Sequence, residues 1–137
     1  MTDSLTLRVR ALELELASRT KPAAISQVIS GRSLTAGVST AITLSAVPTG
    51  KLVSFSIGLP YRFPTGGAHF TNSQMFDGTT QVGNDLIMAA SVSGGAQNLS
   101  VTLTIGGYVF TAVPTLKLYA STVITLDATK LMGIAWT

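Results

Sequence analysis

Leu99-Ser100-Val101-Thr102-Leu103-Thr104-Ile105-Gly106-Gly107-Tyr108-Val109-Phe110 carries the period of a β-strand. Leu99, Val101, Leu103 and Ile105 alternate with Ser and Thr at a period of two, which gives an extended chain one apolar and one hydroxyl-bearing face. Two glycines separate this run from Tyr108, Phe110 and Ala112, and a two-residue loop between such runs predicts a β-hairpin.

The same texture fills the chain outward from there. Ile42 and Leu44 alternate with Thr and Ser, and after Pro48-Thr49-Gly50 the residues Val53, Phe55, Ile57 and Leu59 alternate with Ser54, Ser56 and Gly58. A second hairpin is expected around that turn. Pro114 precedes a strand at Leu116-Lys117-Leu118-Tyr119, with others over Val123 to Leu126 and Leu131 to Trp136, and the final Ile134-Ala135-Trp136-Thr137 suggests a buried or interface-bound terminus. Short β-branched runs cut by Gly, Pro, Asn and Asp predict an all-β domain over residues 22–137, an antiparallel β-sandwich or jelly-roll-like knob.

Between Pro60 and Asn84 the alternation lapses into Pro64-Thr65-Gly66-Gly67 and Phe76-Asp77-Gly78, with Tyr61, Phe63, His69, Phe70, Met75 and Phe76 interspersed. This reads as a long aromatic-bearing loop, the kind of segment that carries function or an interface.

Residues 1–21 have a different chemistry: they hold seven of the fifteen charged residues of the chain. Leu5, Val9, Leu12 and Leu16 are spaced 4, 3 and 4, the seam of a short coiled-coil helix with Asp3 or Ser4 to cap its start. With Val9 at position a and Leu12 at d, Arg8 falls at g and Glu13 at e, where neighbouring helices exchange ion pairs. Leu7 and Leu14 fall at the outward f position and are expected to meet the β domain or a partner surface. Two competing readings are an amphipathic helix packed on its own domain and a strand, since Leu5-Leu7-Val9 and Leu12-Leu14-Leu16 also alternate.

Arg8-Val9-Arg10-Ala11-Leu12-Glu13 resembles the Arg-h-x-x-h-Glu trimerisation motif (h apolar) of short three-stranded coiled coils, including stalks of viral fibres. A β-branched residue at a with Leu at d favours two strands; the motif favours three, and three is the expectation. Two heptads do not hold chains together in water alone, because isolated helices this short are marginal, so the β domain must add to the association.

The 137-residue chain holds one core and no more. It has no cysteine, which removes disulfides, thiolate nucleophiles and cysteine-bound metals. Charged residues are 11% against 46% apolar, so Ser, Thr, Gly and partner chains must cover the surface. The net charge of +3 rests on nine scattered bases without a cluster, which argues against nucleic-acid binding. Neither a membrane-spanning run nor a signal peptide is recognisable.

No catalytic, cofactor or metal site is expected. The single histidine, His69, and the three acids after residue 21, Asp77, Asp85 and Asp127, admit a Ser-His-Asp set only by arithmetic, for nothing local frames a serine as nucleophile. Asp77-Gly78 and Asp85 read as turn residues. Gly66-Gly67, Gly94-Gly95 and Gly106-Gly107 are turn pairs, not phosphate cradles.

The combination of a stalk bearing the trimer motif with a cysteine-free, charge-poor β knob resembles the trimeric knob proteins of bacteriophage particles. That resemblance implies a homotrimeric structural protein of the virion, assembled in the host cytoplasm, that decorates or cements the capsid through the major capsid protein or other virion proteins. Leu7, Leu14 and the 60–84 segment would then touch the particle. The fibre-tip alternative makes Tyr61, Phe63, His69, Phe70 and Asn72 contacts to a host glycan or surface protein, and a lectin-like cellular module is a third reading. A stalk that begins close to Met1, with no anchoring segment before it, favours decoration.

Overall fold

The computed structural model describes residues 4–19 and 21–136, the side chains of residues 16–19 excepted. The expected Asp3 cap and the Leu16 member of the seam therefore lie outside the described residues. The described chain forms one helix, α1 (Ser4–Arg19), followed by β1 (Pro22–Ile29), β2 (Arg32–Leu34), β3 (Ser39–Thr43), β4 (Leu52–Phe63), β5 (Gly67–Asp77), β6 (Thr80–Val92), β7 (Gln97–Val109), β8 (Thr115–Ala120), β9 (Ile124–Leu126) and β10 (Thr129–Trp136). The strand alternative for the N-terminal segment does not form, because Leu, Arg, Ala and Glu are strong helix formers and their apolar spacing is helical. Pro22, which lacks an N–H to continue a helix, opens β1.

The strands form two antiparallel sheets. In the six-stranded sheet β1 pairs with β10 and β10 with the first half of β4, β9 joins the far end of β4 and carries β2, and β7 runs along the other edge of β4. The four-stranded sheet has the order β3-β8-β5-β6. The two share one core, in which Tyr61, Phe63 and Phe110 are the largest fully buried side chains. Gln27 helps tie them: its amide donates to the Thr43 carbonyl at 3.0 Å and accepts from the Ala46 N–H at 3.1 Å.

Three local expectations are corrected. Gly106-Gly107 is not a hairpin turn: β7 passes through it in register with β4, and the two glycines oppose the single residue Ser54, a bulge in which Gly107 has a φ of 60° and donates to Ser54 Oγ at 2.8 Å. The Ile42 strand does not pair with the Val53 strand; β3 joins β8 in the other sheet, so Pro48-Thr49-Gly50 is a crossover between sheets. Residues 60–84 are not a loop but the end of β4, all of β5 and the start of β6, with a tight turn at Gly78.

That last segment hid its strands because its polarity is inverted. Along β5 the inward positions are His69, Thr71, Ser73, Met75 and Asp77, while Phe70, Asn72, Gln74 and Phe76 face away from the core. Aromatics outside and hydroxyls inside break the usual alternation. The inner hydroxyls are accommodated where a partner exists: Tyr61 Oη and Ser73 Oγ share a buried hydrogen bond of 2.8 Å, and burial raises the Tyr61 phenol above its ordinary pKa.

Candidate functional site

Two surfaces stand out, one suited to assembly and one to a polar ligand. The first begins on α1, where every described side chain from Ser4 to Glu15 is exposed, including Leu7, Val9, Leu12 and Leu14. The expected packing of this helix on its own β domain therefore does not bury these residues. Arg8 and Glu13 lie on the same exposed helix.

At the end of the six-stranded sheet that α1 enters, one row of directly paired residues crosses four strands: Pro22, Trp136, Leu52 and Val109. Paired residues share a face, and this face points away from the core, since the neighbouring Val53 is fully buried. Leu52 and Val109 are 44% and 47% exposed, and Ile134 in the next row is 41% exposed. The apolar character of the helix thus continues onto the adjoining end of the sheet.

The second surface is the outer face of the four-stranded sheet. Ser39, Tyr119, Asn72 and Ile87 form one row across it, flanked by Lys117 opposite Gln74 and by Phe76 opposite Gln81. Phe70 and Tyr119 lie with ring centroids 5.5 Å apart, and the Lys117 ammonium sits 4.4 Å from the Phe76 centroid. The Asp85 carboxylate is fixed between them by amide donors, Gln74 at 2.9 Å, Asn72 at 3.1 Å and Gln81. The amide of Gln74, then those of Gln81 and Asn72, hold the Asp85 carboxyl below its ordinary pKa. A shallow hollow of about 360 Å³ between Phe70 and Ala89-Ala90-Ser91 extends this face toward the open edge of β6.

The residues expected at a partner surface divide accordingly. Phe70 and Asn72 lie on this outer face, and Leu7 and Leu14 are exposed on α1. Tyr61, Phe63 and His69 are corrected: alternation turns all three inward, to 1%, 0% and 5% exposure, and they pack in the core. Sequence reading missed Tyr119, Gln74, Gln81, Asp85 and Lys117, which come from three strands whose register alone brings them together. The outward Phe70-x-Asn72-x-Gln74-x-Phe76 period was the available signal.

His69, Asp77 and Asp127 are partnered in ways that serve the fold. His69 Nδ1 lies 2.6 Å from Thr122 Oγ1 while Nε2 is buried without a partner, so no carboxylate orients the ring as a base would require. Asp77 accepts from the Thr111 and Ala112 N–H groups, the Thr111 hydroxyl and the Tyr108 hydroxyl, pinning the β5–β6 turn to the segment after β7. The Thr111 N–H first of all, with the other donors, holds the Asp77 carboxyl below its ordinary pKa, and the hydrogen bond that Tyr108 donates to Asp77 raises the Tyr108 phenol above its own. Asp127 forms an exposed 3.3 Å ion pair with Arg62. Asp85 is in β6 rather than in a turn. Among the described residues no three His, Cys, Asp or Glu side chains converge, and no helix is long and apolar enough to cross a membrane.

Neither a scan against protein-family models nor a search of curated proteins finds a match to the chain.

Proposed function

We propose that the chain is a non-enzymatic structural protein that assembles as a homotrimer, a coiled-coil stalk bearing a β-sandwich knob, and that it decorates or cements a bacteriophage capsid. The observation that carries the assembly reading is the exposure of Leu5, Val9 and Leu12, members of the seam, on one short helix. A helix of 16 residues gains most of its stability from burying an apolar face, and a second and third copy of α1 supply that burial. Arg8 at g and Glu13 at e then pair between neighbouring helices.

The exposed Leu52 and Val109, in one row with the half-buried Trp136 at the α1 end of the β domain, support the same reading, since they offer the additional apolar area that two heptads lack. The alignment of all six residues Arg8 to Glu13 with the trimer motif, and the scarcity of charge on the knob, support the virion reading. The test is mass spectrometry of purified particles of the phage whose genome encodes the chain. The chain is expected in a copy number that is a multiple of three, and its absence from particles contradicts a structural role in the virion.

A further inference from the structure

We propose that the outer face of the four-stranded sheet is a saccharide-binding platform, which takes a hydroxyl-rich glycan chain along β5 between Phe70 and Phe76. The inference does not rest on the trimer, because the face is complete within one chain.

Three features of the face point to this class of ligand. Outward positions of a solvent-facing strand ordinarily carry polar side chains, yet here Phe70, Phe76 and Tyr119 occupy them. Aromatic rings on a sheet surface can stack on the C–H faces of sugar rings, and Phe70 to Phe76 spans about 20 Å along an extended strand, room for several pyranose units.

The polar groups between the rings are already held in place. Asp85 uses three of its acceptor positions on Asn72, Gln74 and Gln81, and an ionised carboxylate has about four. The network is thus cross-linked before any ligand arrives, which lowers the ordering cost of binding. Asp85 and the amides of Gln74 and Gln81 answer sugar hydroxyls as acceptors and donors, and Lys117, whose ammonium lies over one face of the Phe76 ring, adds a donor there.

A protein partner fits less well, because the Phe70–Tyr119 pair and Phe76 are kept apart by Asn72, Gln74 and Lys117 rather than gathered into one buried apolar centre of the kind that anchors protein interfaces. The charge of the face is balanced, Lys117 against Asp85, which suits a neutral or mixed polysaccharide over a polyanion.

The test applies the full chain to a printed array of bacterial surface polysaccharides and animal glycans, followed by calorimetry and amide chemical-shift mapping with the glycans retained. Shifts are expected to cluster at residues 70–76, 85–87 and 117–119. Phe70→Ala and Tyr119→Ala should each weaken binding by about tenfold, a loss in the range of a stacked ring. Asp85→Asn and Lys117→Ala, changes of polar groups on the outer face, should also weaken it, while Met132→Ala on the other sheet should leave it unchanged. Retention of no glycan, shifts elsewhere, or undiminished binding by all four variants overturns the proposal, as does capture of this face by a second copy or a virion protein without any glycan. A monomer that binds glycan would sink the stalk while leaving this platform intact.

Discussion

The phenolic oxygen of Tyr61 lies 2.8 Å from the hydroxyl of Ser73, and both side chains are buried where β4 crosses β5. The pair explains how an inward serine is tolerated in this core. Tyr61→Phe leaves the Ser73 hydroxyl without that partner and should cost about 1–2 kcal/mol in urea unfolding. Adding Ser73→Ala should recover part of the loss; a double variant that is the sum of the two singles would mean the bond is not coupled.

Gly133 in β10 sits directly opposite Phe55 in β4, and a Cβ built there would fall 2.3 Å from the Ser54 carbonyl oxygen and 2.6 Å from Phe55 Cα. Both obstacles are backbone and cannot rotate away. Gly133→Ala should therefore destabilise by about 3 kcal/mol, the upper range of overpacking. Gly94→Ala, where nothing lies within 4 Å, should change stability by less than about 0.5 kcal/mol. Equal midpoints for the two variants would contradict this packing.

Asp77 makes stability depend on pH in a defined direction. Its carboxyl is held below the ordinary value of 3.8 by Thr111, Ala112 and Tyr108, so on acidification the unfolded chain takes up its proton first. The contribution is whole above the unfolded value and is lost as pH falls through the native one. The stability gap between the parent and Asp77→Asn should be widest above about pH 5 and narrow below about pH 4. Parallel acid-unfolding curves would show that this carboxylate is not linked to folding.

The strands themselves were legible wherever apolar and hydroxyl residues alternate, as in Val53 to Leu59 and Leu99 to Ile105, because half-burial imposes that period. Their partners were not. Pro48-Thr49-Gly50 looks the same whether the chain folds back beside itself or crosses to another sheet, and Gly106-Gly107 serves a bulge as well as a turn. The candidate face was legible only at Phe70 and Asn72. Tyr119, Asp85 and Lys117 reach it through pairings set by the whole topology, and Thr71 and Ser73 inside the core disguised β5 as a loop.

The row at the end of the sheet next to α1 gives a separate prediction. Leu52→Lys with Val109→Glu sets an opposite-charge pair across β4 and β7 at positions 44% and 47% exposed in one chain, so the unfolding midpoint at low concentration should move little. Sedimentation equilibrium should nevertheless show weaker self-association than the parent. Unchanged association would confine the contacts between copies to α1.

Whether copies join through α1 is read from the mass in solution, by light scattering, of the full chain and of a Val9→Asp, Leu12→Asp variant. The parent is expected at three times the 14.2 kDa of one chain, and the variant at a smaller or concentration-dependent mass. A single-chain mass for both would contradict association through α1.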